Sequence, residues 1–154
     1  MSFNSIISNF IILGCLMLFT LISCEKDSIF LPTEKRVQGK WKYEKVEFRK
    51  NFSLSKEEIT ADYKDLIIEF KGNNSIVQTS NVPNRDAIGK WEVKRLMLNN
   101  EEDQTTRFIK GHLTDVSSGH QNSFEWRNLQ FTRRKMSFTE RRDGGTYRFK
   151  LRKQ

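Results

Sequence analysis

The chain has 154 residues, with 27 Lys and Arg against 19 Asp and Glu, a formal net charge of +8. That length suits a single domain with a real core, since compact domains commonly hold about 100–200 residues. Two cysteines exclude a disulfide scaffold, and residues 1–23, with no Asp, Glu, Lys or Arg, leave all the side-chain charge to the rest of the chain.

From Phe10 to Ile22 the chain reads FIILGCLMLFTLI. This apolar run is short for a membrane span, which needs about 20 residues, and suits the core of a secretory signal. It ends in Leu21-Ile22-Ser23-Cys24, which resembles the bacterial lipoprotein signal: Leu three places before the cysteine and a small residue just ahead of it. The resemblance implies cleavage between Ser23 and Cys24 and a lipid on the Cys24 thiol, including palmitate-type acyl chains. Each buried methylene contributes about 0.8 kcal/mol, so two or three chains give stable anchoring. The leading MSFNSIISN carries no Lys or Arg, a departure from the usual signal.

Residues 1–23 are thus expected to be a signal peptide, 24–36 a lipidated cysteine and tether, and 37–153 the folded domain. A cysteine followed at once by Glu25-Lys26-Asp27 resembles lipoproteins of the Bacteroidetes. That implies an envelope protein anchored to the outer membrane, on its periplasmic face or at the cell surface.

In the remaining chain, short apolar runs alternate with Gly, Asn, Asp and Ser, the pattern of an antiparallel all-β domain. The expected strands are 39–49, 65–71, 75–80, 87–93, 95–99, 106–114, 123–131, 134–140 and 145–152. In the last, Tyr147, Phe149 and Leu151 alternate with Arg148, Lys150 and Arg152, which predicts one buried and one solvated face. Lys71-Gly72-Asn73-Asn74 and Asp143-Gly144-Gly145 supply residues that tolerate positive φ in tight turns.

One short helix is expected after the first strand. Ser55-Lys56-Glu57-Glu58 has the form of a capping box, with Leu54 and Ile59 placed as a hydrophobic staple. Ile59 and Tyr63, four apart, would share the inward face.

The domain opens on Gly39-Lys40-Trp41. A Gly-x-Trp at this position, followed by eight or nine short strands and the closing stretch Lys135–Thr139 and Gly144–Phe149, resembles the lipocalins, and in particular small lipocalin-like lipoproteins of the Bacteroidetes. The resemblance implies an antiparallel up-and-down barrel around a cavity for one small apolar or amphipathic ligand. It also makes Gly39 and Trp41 structural, with Trp41 packed at the barrel base. The family's later Thr-Asp-Tyr type of motif is not evident, which leaves both a hollow and a filled barrel open. Trp91, Tyr43 and Trp126 are the candidate ligand contacts. Trp126, flanked by Glu125, Arg127 and Asn128, is the one expected nearest the surface.

His112, Asp115 and His120 match no zinc or nucleophile spacing and read as a solvated loop. No nucleophile elbow or phosphate-cradling glycine loop is present, so no catalytic residue, metal or cofactor is expected, and the protein reads as a non-enzyme. The basic clusters Arg133-Arg134-Lys135, Arg141-Arg142 and Arg148–Lys153 read as a solvated outer face or as attraction to anionic envelope lipids. Export removes nucleic acid as a partner. Two functions remain: a carrier of a small hydrophobic molecule, or a filled barrel that binds an envelope protein or glycan through its basic, aromatic exterior.

Overall fold

A computed structural model describes residues 32–97 and 105–154; the expected signal segment, Cys24 and most of the tether lie outside the described residues. The elements run α1 (Thr33–Val37), β1 (Gly39–Lys50), β2 (Glu57–Glu58), a 3-10 turn (Thr60–Asp62), β3 (Leu66–Phe70), β4 (Ser75–Ser80), β5 (Ala87–Met97), β6 (Thr105–Asp115), β7 (Gln121–Phe131), β8 (Lys135–Arg142) and β9 (Gly145–Lys153). From β3 to β9 each strand pairs antiparallel with the next, and β1 pairs with both β3 and β9. Eight strands therefore close an up-and-down barrel: the alternating pattern predicts the antiparallel strands, and the resemblance to lipocalins implies their closure. The extra strand β2 pairs with Glu47 and Phe48, beyond the point where β3 leaves β1. The unit Leu31–Gln154 is compact by itself.

Alternation decides which face enters the barrel. On β9, Phe149 and Leu151 are buried while Arg148, Lys150 and Arg152 are exposed. On β1, Trp41 and Tyr43 are buried, and the next buried residue is Val46, three places on. A β-bulge between Tyr43 and Lys45 takes up the extra residue, so both halves of the strand keep their apolar side chains inside. Glu44 at the bulge bonds Lys135 at 3.1 Å and also Arg152.

One end of the barrel is sealed. Gly39 has φ +115°, a conformation open to glycine where the chain turns from α1 into β1. Trp41 then lies 2% exposed, donates its indole N–H to the Val37 carbonyl at 2.6 Å, and has the Lys153 ammonium 5.4 Å from its ring centre. The α1 segment is tied down by Arg107 to the Thr33 hydroxyl at 2.8 Å and by Arg36 stacked on Phe131. Ile68, Phe70, Ile76, Trp91, Ile109, Met136 and Leu151 fill the interior.

Three expectations are corrected. The helix expected from Ser55 shrinks to the 3-10 turn Thr60–Asp62, and an α-helix lies instead ahead of β1. Glu57 and Glu58 are drawn into pairing with β1, the Ser55 hydroxyl meets that of Ser53 at 2.8 Å, and Leu54 is 97% exposed, so no staple forms. Residues 33–36, expected as tether, form α1 because Thr33 and Val37 find burial against the barrel. The strands expected at 87–93 and 95–99 are one, because β6 pairs with β5 along its whole length and carries it through Lys94.

Candidate functional site

The other end of the barrel is open. The 3-10 turn, the β4–β5 loop, the β6–β7 loop and the β8–β9 turn surround a cavity of about 800 Å3. Its aromatic lining is Tyr43, Tyr63, Phe124, Trp126 and Phe149. Tyr43 and Tyr63 stand 5.3 Å apart, each packs on Phe149, and Trp126 lies between Phe124 at 4.6 Å and a stacked Phe138 at 4.0 Å. These contacts leave the rings few alternative rotamers, so the aromatic wall is preformed.

Gly111 makes room for part of that wall. A Cβ at this position would sit 2.4 Å from the Lys90 carbonyl oxygen and 2.6 Å from the Phe124 ring. Glycine lets β6 approach β5 while the Phe124 ring lies over it.

Polar groups line the remainder. On β8, Met136, Phe138 and Glu140 are buried in alternation, so Glu140 occupies an inward position where its two predecessors are core. Arg142, one step further along the same face, donates Nε to Oε1 and Nη2 to Oε2 of Glu140, both at 3.0 Å. The guanidinium also lies 4.5 Å from the Tyr147 ring centre and interacts with the Tyr63 hydroxyl. A carboxylate 7% exposed is costly to bury without a partner, and a two-point guanidinium contact offsets that cost. Burial, followed by the neighbouring Tyr63 and Glu140, raises the Tyr43 phenol above its usual value of 10. Tyr43 is therefore a neutral hydroxyl on the wall throughout ordinary pH.

The candidate contacts separate. Tyr43 and Trp126 line the cavity. Trp91 does not: it stands edge-on to Phe70 at 5.2 Å and donates its indole N–H to the Ser75 carbonyl at 3.1 Å, as a core residue. Trp126 is not at the surface, being 3% exposed. Arg127 is exposed because alternation sends adjacent side chains to opposite faces, and Asn128 is exposed because it falls, at φ +53°, in the irregularity that shifts the β7–β8 register between Arg127 and Gln130. Its indole N–H is buried with no hydrogen-bond partner among the described residues. Gly39 and Trp41 are at the sealed end.

The loop with His112, Asp115 and His120 is built around Asp115. One carboxylate oxygen accepts from the backbone N–H groups of Ser117 and Ser118 at 2.8 Å each and from the Ser117 hydroxyl at 2.6 Å. The Ser117 hydroxyl, then the Ser118 amide, hold this exposed carboxyl down at about 2. Among the described residues, no group of three or more His, Cys, Asp and Glu side chains is gathered as a metal ion would need.

Sequence reasoning missed Glu140, Arg142 and Tyr63 as cavity residues. The signal for Glu140 was present: the alternation Met136, Phe138 points position 140 inward, so a charged residue there breaks the pattern. No protein-family model, curated protein or solved structure matches this chain.

Proposed function

We propose that the barrel is a non-enzymatic, lipocalin-like carrier that takes one small amphipathic molecule through its open end. The observation that carries this reading is the cavity of about 800 Å3, within the range of about 300–1,000 Å3 typical of small-molecule sites. An aromatic wall of Tyr43, Phe124, Trp126 and Phe149 would take the apolar part of the ligand. The Glu140–Arg142 pair and the Tyr43 hydroxyl would meet its polar part, which favours an amphiphile over a pure hydrocarbon. The test is titration of the unit Leu31–Gln154 with a fluorescent fatty acid. Saturable uptake is expected, weakened about tenfold or more by Trp126→Ala, since an aromatic face contributes well over the 1.4 kcal/mol that tenfold represents. Absence of saturable uptake by the unmodified unit, or full uptake by Trp126→Ala, would contradict the reading.

The Leu21-Ile22-Ser23-Cys24 sequence supports placing this carrier in the cell envelope, attached to the outer membrane through a lipid on Cys24. In a lipoprotein-processing host, the full chain should incorporate labelled palmitate and Cys24→Ser should not.

The alternative, an exterior that binds an envelope protein or glycan, has one specific observation in its favour. Lys42 and Lys135 flank Arg152 on the neighbouring strands, and the Glu44 carboxylate is shared between Lys135 and Arg152, so this cluster keeps an excess of positive charge that a bound anion would relieve. That alternative no longer has an exposed Trp126 to draw on.

A further inference from the structure

Around the open end, the loops expose apolar side chains that the fold does not use. Six large hydrophobic residues are exposed among those described, and five of them, Phe52, Leu54, Val82, Ile88 and Val116, belong to the loops and strand ends at the mouth. Leu96, at the far end of β5, is the exception. Phe52 and Leu54 go furthest, at 109% and 97% exposure.

These tips are held in place. Phe52 adopts φ +62°, the left-handed region, which a bulky side chain enters only at a cost. Its loop is pinned to the β8–β9 turn by Asn51, whose backbone N–H donates to the Gly144 carbonyl at 3.3 Å and whose side-chain Nδ2 donates to the Asp143 backbone carbonyl at 3.1 Å. The neighbouring loops are linked in turn. Arg85 donates to the Asp62 carbonyl at 2.8 Å, and Val116 N–H to the Asp86 carbonyl at 2.9 Å. The Phe52 loop is thus fixed to the β8–β9 turn, and the β4–β5 loop to its two neighbours.

Charge distinguishes the kinds of surface such tips would meet. Beside Phe52 and Leu54 lies a hollow of about 350 Å3 whose lining includes Arg49, Lys50 and Arg141 and no carboxylate. Two apolar side chains projecting past a cationic, acid-free hollow match the layering of an anionic bilayer, with acyl chains beneath a sheet of phosphate headgroups. We propose that the Phe52–Leu54 corner of the rim docks on anionic phospholipid, the two side chains entering the interface and Arg49, Lys50 and Arg141 meeting the phosphates. The described chain enters the barrel at the opposite, sealed end through α1. The docking contact stands whether or not the cavity is occupied.

The test is co-sedimentation of the unit Leu31–Gln154 with vesicles of phosphatidylcholine alone and of phosphatidylcholine mixed with phosphatidylglycerol. The protein should bind the mixed vesicles more tightly, and added salt should weaken that binding, since exposed charges are screened. Phe52→Ser with Leu54→Ser should lower partitioning by about tenfold or more, because each side chain contributes apolar burial. Both positions are exposed, so the variant should keep the parent melting temperature. Failure to bind the mixed vesicles would overturn the proposal. So would undiminished binding by the double variant, which would assign adsorption to the basic strands alone.

Discussion

The guanidinium of Arg142 grips both carboxylate oxygens of Glu140, with two donor–acceptor distances of 3.0 Å, on a β8 face whose preceding inward side chains, Met136 and Phe138, are apolar. Their side chains differ in exposure, 45% for Arg142 and 8% for Glu140. The pair thus spans from the buried wall to the mouth, where it satisfies a charge that the fold has placed inside.

Truncating the cation should therefore hurt more than neutralising both partners. Arg142→Ala should destabilise by roughly 1–2 kcal/mol, less than a fully buried pair because solvent reaches the guanidinium. Adding Glu140→Gln should recover much of the loss. Urea unfolding of the single and double variants measures this, and an additive double variant would deny the coupling.

Gly111→Ala tests the contact between the β5–β6 backbone and the cavity wall. With a methyl group 2.6 Å from the Phe124 ring, that ring must shift, and the 2.4 Å approach to the Lys90 carbonyl has no flexible atom to yield. A loss of about 1–3 kcal/mol is expected from overpacking, together with weakened uptake of a fluorescent fatty acid. A variant as stable as the parent would show that the strands separate freely here.

Phe52→Gly should move stability the other way. Glycine adopts φ +62° without the steric penalty, and an exposed side chain has no packing to lose. A gain of about 0.5–1 kcal/mol in urea unfolding is expected, alongside weaker vesicle binding. A net loss of stability would mean the ring supports the loop.

Acid should loosen the β6–β7 loop within a definite window. The folded Asp115 carboxyl titrates at about 2 against an ordinary 3.8, so its contribution is present above the ordinary value and lost as pH falls towards 2. Glu44, held down first by Lys135 and then by Arg152, acts in the same direction. Tyr43 acts at the alkaline end, where its raised phenol makes stability fall as pH climbs above 10. Carboxyl titration by NMR should give Asp115 a midpoint near 2; a midpoint at the ordinary value would remove the effect.

Much of the barrel was legible because side-chain period and burial coincide. Tyr147, Phe149 and Leu151 against Arg148, Lys150 and Arg152 gave β9 both its type and its faces, whereas the β1 bulge between Tyr43 and Lys45 emerged only from the pairing with β9. The Ser55 helix failed because a local capping pattern competed with pairing to Glu47 and Phe48, which sequence separation concealed. The site was less legible. Trp126 has polar neighbours whether it points in or out, and Trp91 and Tyr43 look alike until the barrel ends are known. Only the sealing of one end by α1 and Trp41 tells which inward aromatics face a void and which face the core.

The most direct test follows backbone amide shifts of the isotope-labelled Leu31–Gln154 unit during titration with a soluble fatty acid. The account predicts saturable shifts centred on Tyr43, Tyr63, Phe124, Trp126 and Glu140, with Trp41 and Trp91 at the sealed end unmoved. Saturable shifts confined to the outward residues of β8 and β9, or none at all, would contradict a ligand inside the barrel.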